Sequence, residues 1–384
     1  MRIYLDNAAT SWPKPEAVYA AVDRFQREVG AAAGRGGYRE AVEAQRTVDA
    51  ARRNCATLLG VGDPQRLVFA ANGTDALNLA IHGLLRDGDH VVSTVCEHNS
   101  VLRPLAEASR ARGVRVTYIG CDDAGLVKLD ELKRALRPDT RLLAITHASN
   151  VTGAIQPVAE AAALAKAAGA FVLVDAAQTA GHLPISVDAL GADLLACSGH
   201  KGMLGPLGTG LLYVRPGMET ELAPVRQGGT GVDSESEHQP GELPMRYEAG
   251  NLNTAALAGA AAAAEFLAER SISRVAAHEA ALIEKLDAGL RSNSSVRVYG
   301  PRNPRLRAPV VSFSVEGYDP QEFAAALDAS AGVQCRAGLH CAPRMHQALG
   351  TAPMGGLVRM SVGWSTTPED VELAIRAVAA IAAS

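Results

Sequence analysis

The chain has 384 residues, 48% apolar and 20% charged, with a net charge of −4. That length suits one large domain plus a smaller one, with enough chain to bury a core without a disulfide or metal staple. A slight acidic excess argues against nucleic acid as the main partner, because no basic surplus exists to displace counterions from phosphates. Six cysteines are scattered at positions 55, 96, 121, 197, 335 and 341, none in a CxxC pair, so most are expected to be reduced and buried. The start, Met1-Arg2-Ile3-Tyr4-Leu5-Asp6, has no apolar leader, and the longest greasy run, Ala255 to Ala264, is too short to span a bilayer. A cytoplasmic protein without a membrane partner is expected.

Residues 1–15 carry two prolines and a tryptophan and read as an extended arm packing on the small domain. Short apolar, β-branched runs then alternate with helical patterns. The candidate strands are Arg66–Ala71, His90–Val95, Val114–Ile119, Leu142–Thr146, Phe171–Asp175, Leu194–Ser198 and Leu211–Arg215. Candidate helices between them are Thr74–Leu85, Ser100–Arg112, Asp130–Leu136 and Val158–Ala168. This alternation predicts an α/β fold with a mostly parallel seven-stranded sheet. The segment Gly202 to Gly208 is too short for a helical crossover, so the last strand should run antiparallel. An alanine-rich helix follows over Thr254–Arg270. Strands at Val296–Tyr299, Val310–Val315, Val333–Arg336 and Val358–Val362, with helices at Pro320–Ser330 and Pro368–Ala382, then read as a smaller α/β domain. The expected division is a large domain over 16–255 and a small C-terminal domain over 256–384. No GxGxxG follows a strand and no GxxxxGK[ST] occurs, so nucleotide readings lose their main support.

In open α/β sheets ligands collect beyond the carboxyl ends of the strands. Gly73-Thr74 opens a helix there, a geometry that binds phosphate, although taken alone an ordinary N-cap by Thr74 is the better reading. Asp175 ends a buried strand, and a buried carboxylate stays ionised only against a cation or strong donor. It could instead cap the next turn. Lys201 follows Ser198-Gly199-His200, and a desolvated lysine is a competent Schiff-base amine, whereas a lone lysine at a strand end is more often on the surface. His98 could stack on a ring and Gln178 could bond a phenolic oxygen. Together these residues put a phosphate cradle, an anion, a ring, an amide and an amine on one edge. Pyridoxal phosphate needs each of them.

The chain resembles the class V aminotransferases, and within them the cysteine desulfurases, over essentially its whole length. The matching motifs run in family order: DNAAT (Asp6–Thr10), GRGGY (Gly34–Tyr38), NGTDALN (Asn72–Asn78), EHNS (Glu97–Ser100), HASNVTG (His147–Gly153), VDAAQ (Val174–Gln178), SGHK (Ser198–Lys201), GGTG (Gly228–Gly231), YEAGNLN (Tyr247–Asn253) and CRAGLHCAP (Cys335–Pro343). The resemblance implies the pyridoxal-phosphate fold type I. It implies that Lys201 holds the cofactor and moves the Cα proton, that Asp175 pairs with the pyridine nitrogen, and that His98 stacks on the ring. Gln178 would bond the ring hydroxyl, with Asn150 near it and near the substrate carboxylate. Gly73, Thr74, Ser198 and His200 would hold the phosphate, and Thr230 would reach the partner subunit's phosphate in a homodimer. Arg336 and Arg359 would bind the substrate.

Cys341, in Arg336-Ala337-Gly338-Leu339-His340-Cys341-Ala342, occupies the nucleophile's position. The short RxGxHCA form is similar to the second desulfurase group, which hands sulfur to an acceptor protein and includes selenocysteine lyases. Leu339 stands where that group often has a second His, and Asn251 replaces a common Thr. The implied activity is that of a sulfurtransferase. It converts L-cysteine to L-alanine, holds the sulfur as a persulfide and serves, for example, iron–sulfur cluster assembly. The alternatives are a selenocysteine lyase or another class V reaction. An inert Cys341 is disfavoured by its Gly/His-flanked turn. A zinc set of Cys335, His340, Cys341 and His346 is disfavoured by its spacing, and no metal is expected. Cys335 as nucleophile is disfavoured because it should fall within a strand. The thiolate is the competent nucleophile, and either His340 or the substrate amine could take its proton.

Overall fold

The structure is a computed structural model that describes residues 2–383. Its largest sheet has seven strands: β2 (Leu67–Ala70), β3 (His90–Thr94), β4 (Arg115–Ile119), β5 (Thr140–Thr146), β6 (Phe171–Asp175), β7 (Leu194–Ser198) and β8 (Gly210–Val214). A two-residue strand, β1 (Ile3–Tyr4), precedes them. The order is β2-β8-β7-β6-β5-β3-β4. β8 is antiparallel to both neighbours, as its short connection requires, and the other pairings are parallel. Strands β3, β7 and β8 are buried at every position; β7 and β8 therefore read as near-continuous apolar runs, while the polar His90, Ser93 and Thr94 of β3 are hydrogen-bonded inside.

Helices α3 (Gly73–Leu84), α4 (Asn99–Arg112), α5 (Leu129–Ala135) and α6 (Val158–Ala167) connect successive strands. Two earlier helices, α1 (Glu16–Arg24) and α2 (Arg39–Leu58), pack against α7 (Thr254–Arg270). In α2 the buried residues Ala41, Ala44, Val48, Ala51 and Cys55 recur every three or four positions, the spacing of one helix face. In α7 six of the nine alanines are buried, and the small side chains let three helices approach closely.

After α8 (Ile272–Arg291) a second sheet forms from β9 (Val296–Tyr299), β10 (Val310–Val315), β12 (Arg336–Gly338) and β13 (Leu357–Ser361), in the order β12-β13-β10-β9, all antiparallel. Helices α9 (Pro320–Ala331) and α11 (Pro368–Ala382) cover it, with the short α10 (Pro343–Ala348) after the β12 turn. The expected strand Val333–Arg336 is two strands. β11 (Val333–Gln334) pairs with β1 and β12 with β13, so the chain changes sheet at Cys335. The N-terminal arm is thereby stitched to this region, and Asp6 continues the contact to Ser361. Three helices, α1, α2 and α8, were not anticipated from the sequence. Among the described residues no helix is long and apolar enough to cross a membrane.

Candidate active site

Five turns at the carboxyl ends of β2, β3, β5, β6 and β7 open into one cavity of about 680 Å³. Gly73, Thr74, His98, Asn150, Asp175, Gln178, Ser198, His200 and Lys201 line it, joined by Arg336 and Arg359 from the second sheet. Eleven residues singled out from sequence thus meet in one space. Cys341 lines an adjoining groove that shares Thr74, His98 and Ser100 with the cavity. Thr230 lies outside both; its hydroxyl donates to Val232 O at 3.3 Å, in an exposed loop that touches Gly34 and Arg35.

At the head of α3, the Asn72 side chain accepts from Asp75 N at 2.9 Å, and Asn72 O accepts from Ala76 N. The N–H groups of Gly73 and Thr74 are left at the positive end of the helix. A Cβ on Gly73 would sit 2.5 Å from Ser198 Oγ, so glycine keeps the cradle open. Thr74 Oγ1 and Ser100 Oγ lie 2.8 Å apart. Ser100 was not singled out, yet it also organises His98. Its N–H donates to His98 Nδ1 at 3.0 Å. The ring is therefore unprotonated at Nδ1, and burial holds its pKa down at about 4, so the neutral ring carries its proton on Nε2.

Asp175 is 5% exposed, and burial raises its pKa, opposed by the Ala177 N–H 2.9 Å from Oδ1 and by the Lys201 charge. Burial lowers Lys201 to about 8, with Asp175 opposing and Arg359 and Arg336 adding to the fall. Glu97, also missed from sequence and next to His98 in the chain, is fully buried. It takes the Thr94 hydroxyl at 2.7 Å and the Thr146 N–H at 2.9 Å, and burial lifts it to about 8. Gln178 donates from Nε2 to Ala8 O at 3.1 Å, which fixes its amide.

Arg359 is 1% exposed; burial lowers its pKa while Asp6 opposes. It donates to Asp6 Oδ1 at 2.8 Å and to Asn150 O at 3.1 Å, and its Nε has no partner within the chain. His200 Nδ1 is likewise buried without a partner. Two orphaned polar atoms on residues of one cavity are a cost unless a ligand meets them.

The turn carrying Cys341 is held from several sides. His340 and Cys341 are both left-handed, with φ of +49° and +57°, a strained pair that persists only where the surroundings fix it. Asn150 Nδ2 donates to His340 O at 2.6 Å, Asn99 N to Cys341 O at 2.7 Å, and Ala342 N to Leu339 O at 2.8 Å. Arg336 places a guanidinium nitrogen 3.4 Å from the Cys341 sulfur. His340 is 2% exposed, with its pKa well below the ordinary value through burial, and its Nε2 meets Arg336 O at 3.4 Å. It makes no hydrogen bond to the sulfur. Cys335 is half-buried where the chain passes between sheets, and burial pushes its thiol up to about 12. Among the described residues, no group of three or more His, Cys, Asp or Glu side chains is arranged to hold a metal ion.

The Aminotransferase class-V model matches residues 3–373. A probable cysteine desulfurase of Methanothermobacter thermautotrophicus is 36% identical over 97% of this chain and 92% of its own. The apo structure of a cysteine desulfurase from Thermococcus onnurineus superposes with a TM-score of 0.93 at 34% identity, over 100% of this chain and 95% of the other. The cysteine desulfurase CsdA of Escherichia coli gives 0.88 at 30%, over 98% and 94%. With that model matching nearly the whole chain and such relatives covering it end to end, the chain belongs to the class-V aminotransferase family.

Proposed function

We propose that this chain is a pyridoxal-phosphate-dependent cysteine desulfurase, which takes sulfur from L-cysteine, holds it as a persulfide on Cys341, and releases L-alanine. The observation that carries the reading is the convergence of Lys201, Asp175, Arg336 and Arg359 on one cavity, with the Arg336 guanidinium against the Cys341 sulfur.

The donor set fits the cofactor. The free N–H groups of Gly73 and Thr74, the Ser198 hydroxyl and the orphaned His200 nitrogen suit a phosphate. Asp175 suits a protonated ring nitrogen, since a buried carboxylate needs a cation. His98 would lie against the ring, Gln178 and Asn150 near its hydroxyl, and Thr230 would complete the partner subunit's phosphate site in a homodimer. When bound, pyridoxal phosphate supplies a ring that stabilises negative charge at the substrate Cα.

The chain's own residues divide the remaining work. Arg359, with an unpartnered Nε, and Arg336 receive the substrate carboxylate. Lys201, with its pKa held near 8, carries a substantial neutral fraction at mild alkaline pH and takes the Cα proton. Cys341 attacks the substrate sulfur; the sulfur–Cβ bond breaks and the sulfur stays on the enzyme. Since His340 makes no bond to Sγ, the substrate amine is the group left to accept the thiol proton. A sulfur-acceptor protein would then collect the persulfide, with delivery toward iron–sulfur cluster assembly one such use, in the cytoplasm. The large 16–255 and small 256–384 units, with the 1–15 arm, form the working halves of the site.

Purified chain loaded with cofactor and given L-cysteine and a reductant should form alanine and sulfide in equal amounts, and Lys201→Ala should form neither. Pyruvate or D-alanine as the main product would instead indicate another class V reaction.

A further inference from the structure

Two cysteines that the reaction does not use follow two adjacent strands of the large sheet. Cys96 follows β3 and Cys121 follows β4. These strands pair in parallel with Thr94 opposite Ile119, and Val95 N still bonds Ile119 O. Extended two residues past the last strand pair, that register would set Cys96 opposite Cys121. Neighbouring strands are about 4.8 Å apart, within the Cα separation a disulfide accepts. Each thiol is the largest single influence on the acidity of the other.

Their surroundings differ in the way a reactive pair requires. Cys96 is 1% exposed and its sulfur points to Gly125 O at 3.6 Å. Cys121 is partly exposed, in a turn closed by the Asp122 carboxylate on the N–H groups of Ala124 and Leu126. Contact with Cys96 lowers the Cys121 thiol, and the same contact together with burial raises Cys96 well above the ordinary value. An accessible, more acidic thiol beside a buried partner is the arrangement of an attacking and a resolving cysteine. Cys55 and Cys197 offer no such pair. Both are buried, Cys55 raised to about 12 and Cys197 further still.

The location couples the pair to the site. Cys96 immediately precedes Glu97 and His98, and Thr94 Oγ1 holds both the Cys96 N–H at 3.0 Å and the Glu97 carboxyl. On the other side, a Cβ at Gly125 would meet Met345 of α10 at 2.6 Å. The Cys121–Gly125 turn therefore abuts the helix that begins just after Cys341. A bond between the sulfurs would draw together the segment that seats His98 and the turn that braces the Cys341 loop.

We propose that Cys96 and Cys121 form a reversible thiol–disulfide site that answers to low-molecular-weight disulfides and reduces turnover when oxidised. The Cys121 thiolate attacks one sulfur of a disulfide such as oxidised glutathione, and a glutathione thiolate leaves. The Cys96 thiol then attacks the Cys121 sulfur, and the second glutathione leaves with its proton. Two protein thiols are oxidised, and one external disulfide is reduced to two thiols.

The bond can be sought without relying on the proposed reaction. Full-length Cys341→Ala protein is treated with oxidised glutathione, alkylated and digested without reductant. Mass spectrometry should find the Cys96 and Cys121 peptides linked, with dithiothreitol separating them and Cys121→Ser abolishing the link. Before oxidation, a maleimide should label Cys121 at least tenfold faster than Cys55, Cys96, Cys197 or Cys335. Peptides that stay unlinked, or a link between other cysteines, would overturn the assignment. The effect on turnover, which rests on the desulfurase reading, is read by oxidising wild type and Cys121→Ser side by side, both carrying Cys341. Wild type should lose at least fivefold more alanine formation, and equal losses would overturn the coupling to the site. If neither reduced protein forms alanine, the desulfurase reading fails while the peptide result stands.

Discussion

Arg336 and Arg359 are direct cross-strand partners on β12 and β13, and both guanidiniums reach the same cavity. Like charges placed opposite each other on a sheet destabilise it, and here Arg359 is 1% exposed, with Asp6 its one carboxylate partner among the described residues. An anion between them removes that repulsion. The two differ in their second contacts: Arg359 holds Asp6 and Asn150 O, whereas Arg336 holds the Cys341 sulfur.

That difference predicts separable defects. Arg359→Ala should raise KM for cysteine by about 10- to 100-fold, the value of a lost charge-assisted hydrogen bond of about 1.5–3 kcal/mol. Arg336→Ala should lower kcat as well, because the sulfur loses its cation. Steady-state rates with cysteine check this, and identical KM and kcat effects for the two would contradict it.

Gly73→Ala should cost cofactor retention while leaving the fold intact. The added methyl would meet Ser198 Oγ at 2.5 Å and the Cys197 and Ser198 backbone at 3.4 Å. Titration of the stripped protein with pyridoxal phosphate should show affinity weakened by about tenfold or more, as expected for about 1.4 kcal/mol or more. Unchanged affinity would remove Gly73 from the phosphate cradle.

Asn150→Ala should loosen the strained turn by removing the 2.6 Å bond to His340 O, while the backbone carbonyl that receives Arg359 remains. Sulfide release should fall about tenfold, in line with roughly 1.5 kcal/mol of lost positioning, together with a shift of the visible cofactor band from the amide lost near the ring hydroxyl. Unchanged sulfide release would remove Asn150 from the support of the turn.

Acid should destabilise the chain early. Burial lowers His98, His147, His200 and His346 to about 4, and His340 well below its ordinary value. Above pH 6.5 these rings are neutral both folded and unfolded and contribute no pH dependence. As pH falls from 6.5 toward 4, the unfolded chain binds protons that the folded chain refuses, so stability drops, by up to about 1.4 kcal/mol per ring per pH unit. Urea unfolding at pH 7 and pH 5 should differ by several kcal/mol, and a flat profile would contradict the buried neutral state.

The cavity was legible because strand ends and motifs coincide. Asp175 and Ser198 terminate strands found at the expected bounds, and the antiparallel β8 followed from a seven-residue connection alone. The helices α1, α2 and α8 escaped although their apolar faces are as periodic as those of α3 and α4, because they lie outside the strand–helix alternation that located those two. The α8 face also carries a buried Glu279 that bonds His182. Asp6, Glu97 and Ser100 were missed as site residues because each acts through another side chain, and one-dimensional spacing does not reveal such partners. The local signal lay in His98 itself, which caps α4 by accepting from the Ser100 N–H two residues on. The split at Cys335 was hidden because a continuous extended run looks the same whether it serves one sheet or two.

The most direct test is to give the cofactor-loaded enzyme L-cysteine without an acceptor or reductant, stop the reaction after one turnover, and locate the sulfur by peptide mass spectrometry. The account predicts one added sulfur atom on the Cys341 peptide, matched by one alanine per active site. Alanine formed with the Cys341 peptide unmodified, or with the sulfur on another cysteine, would contradict it.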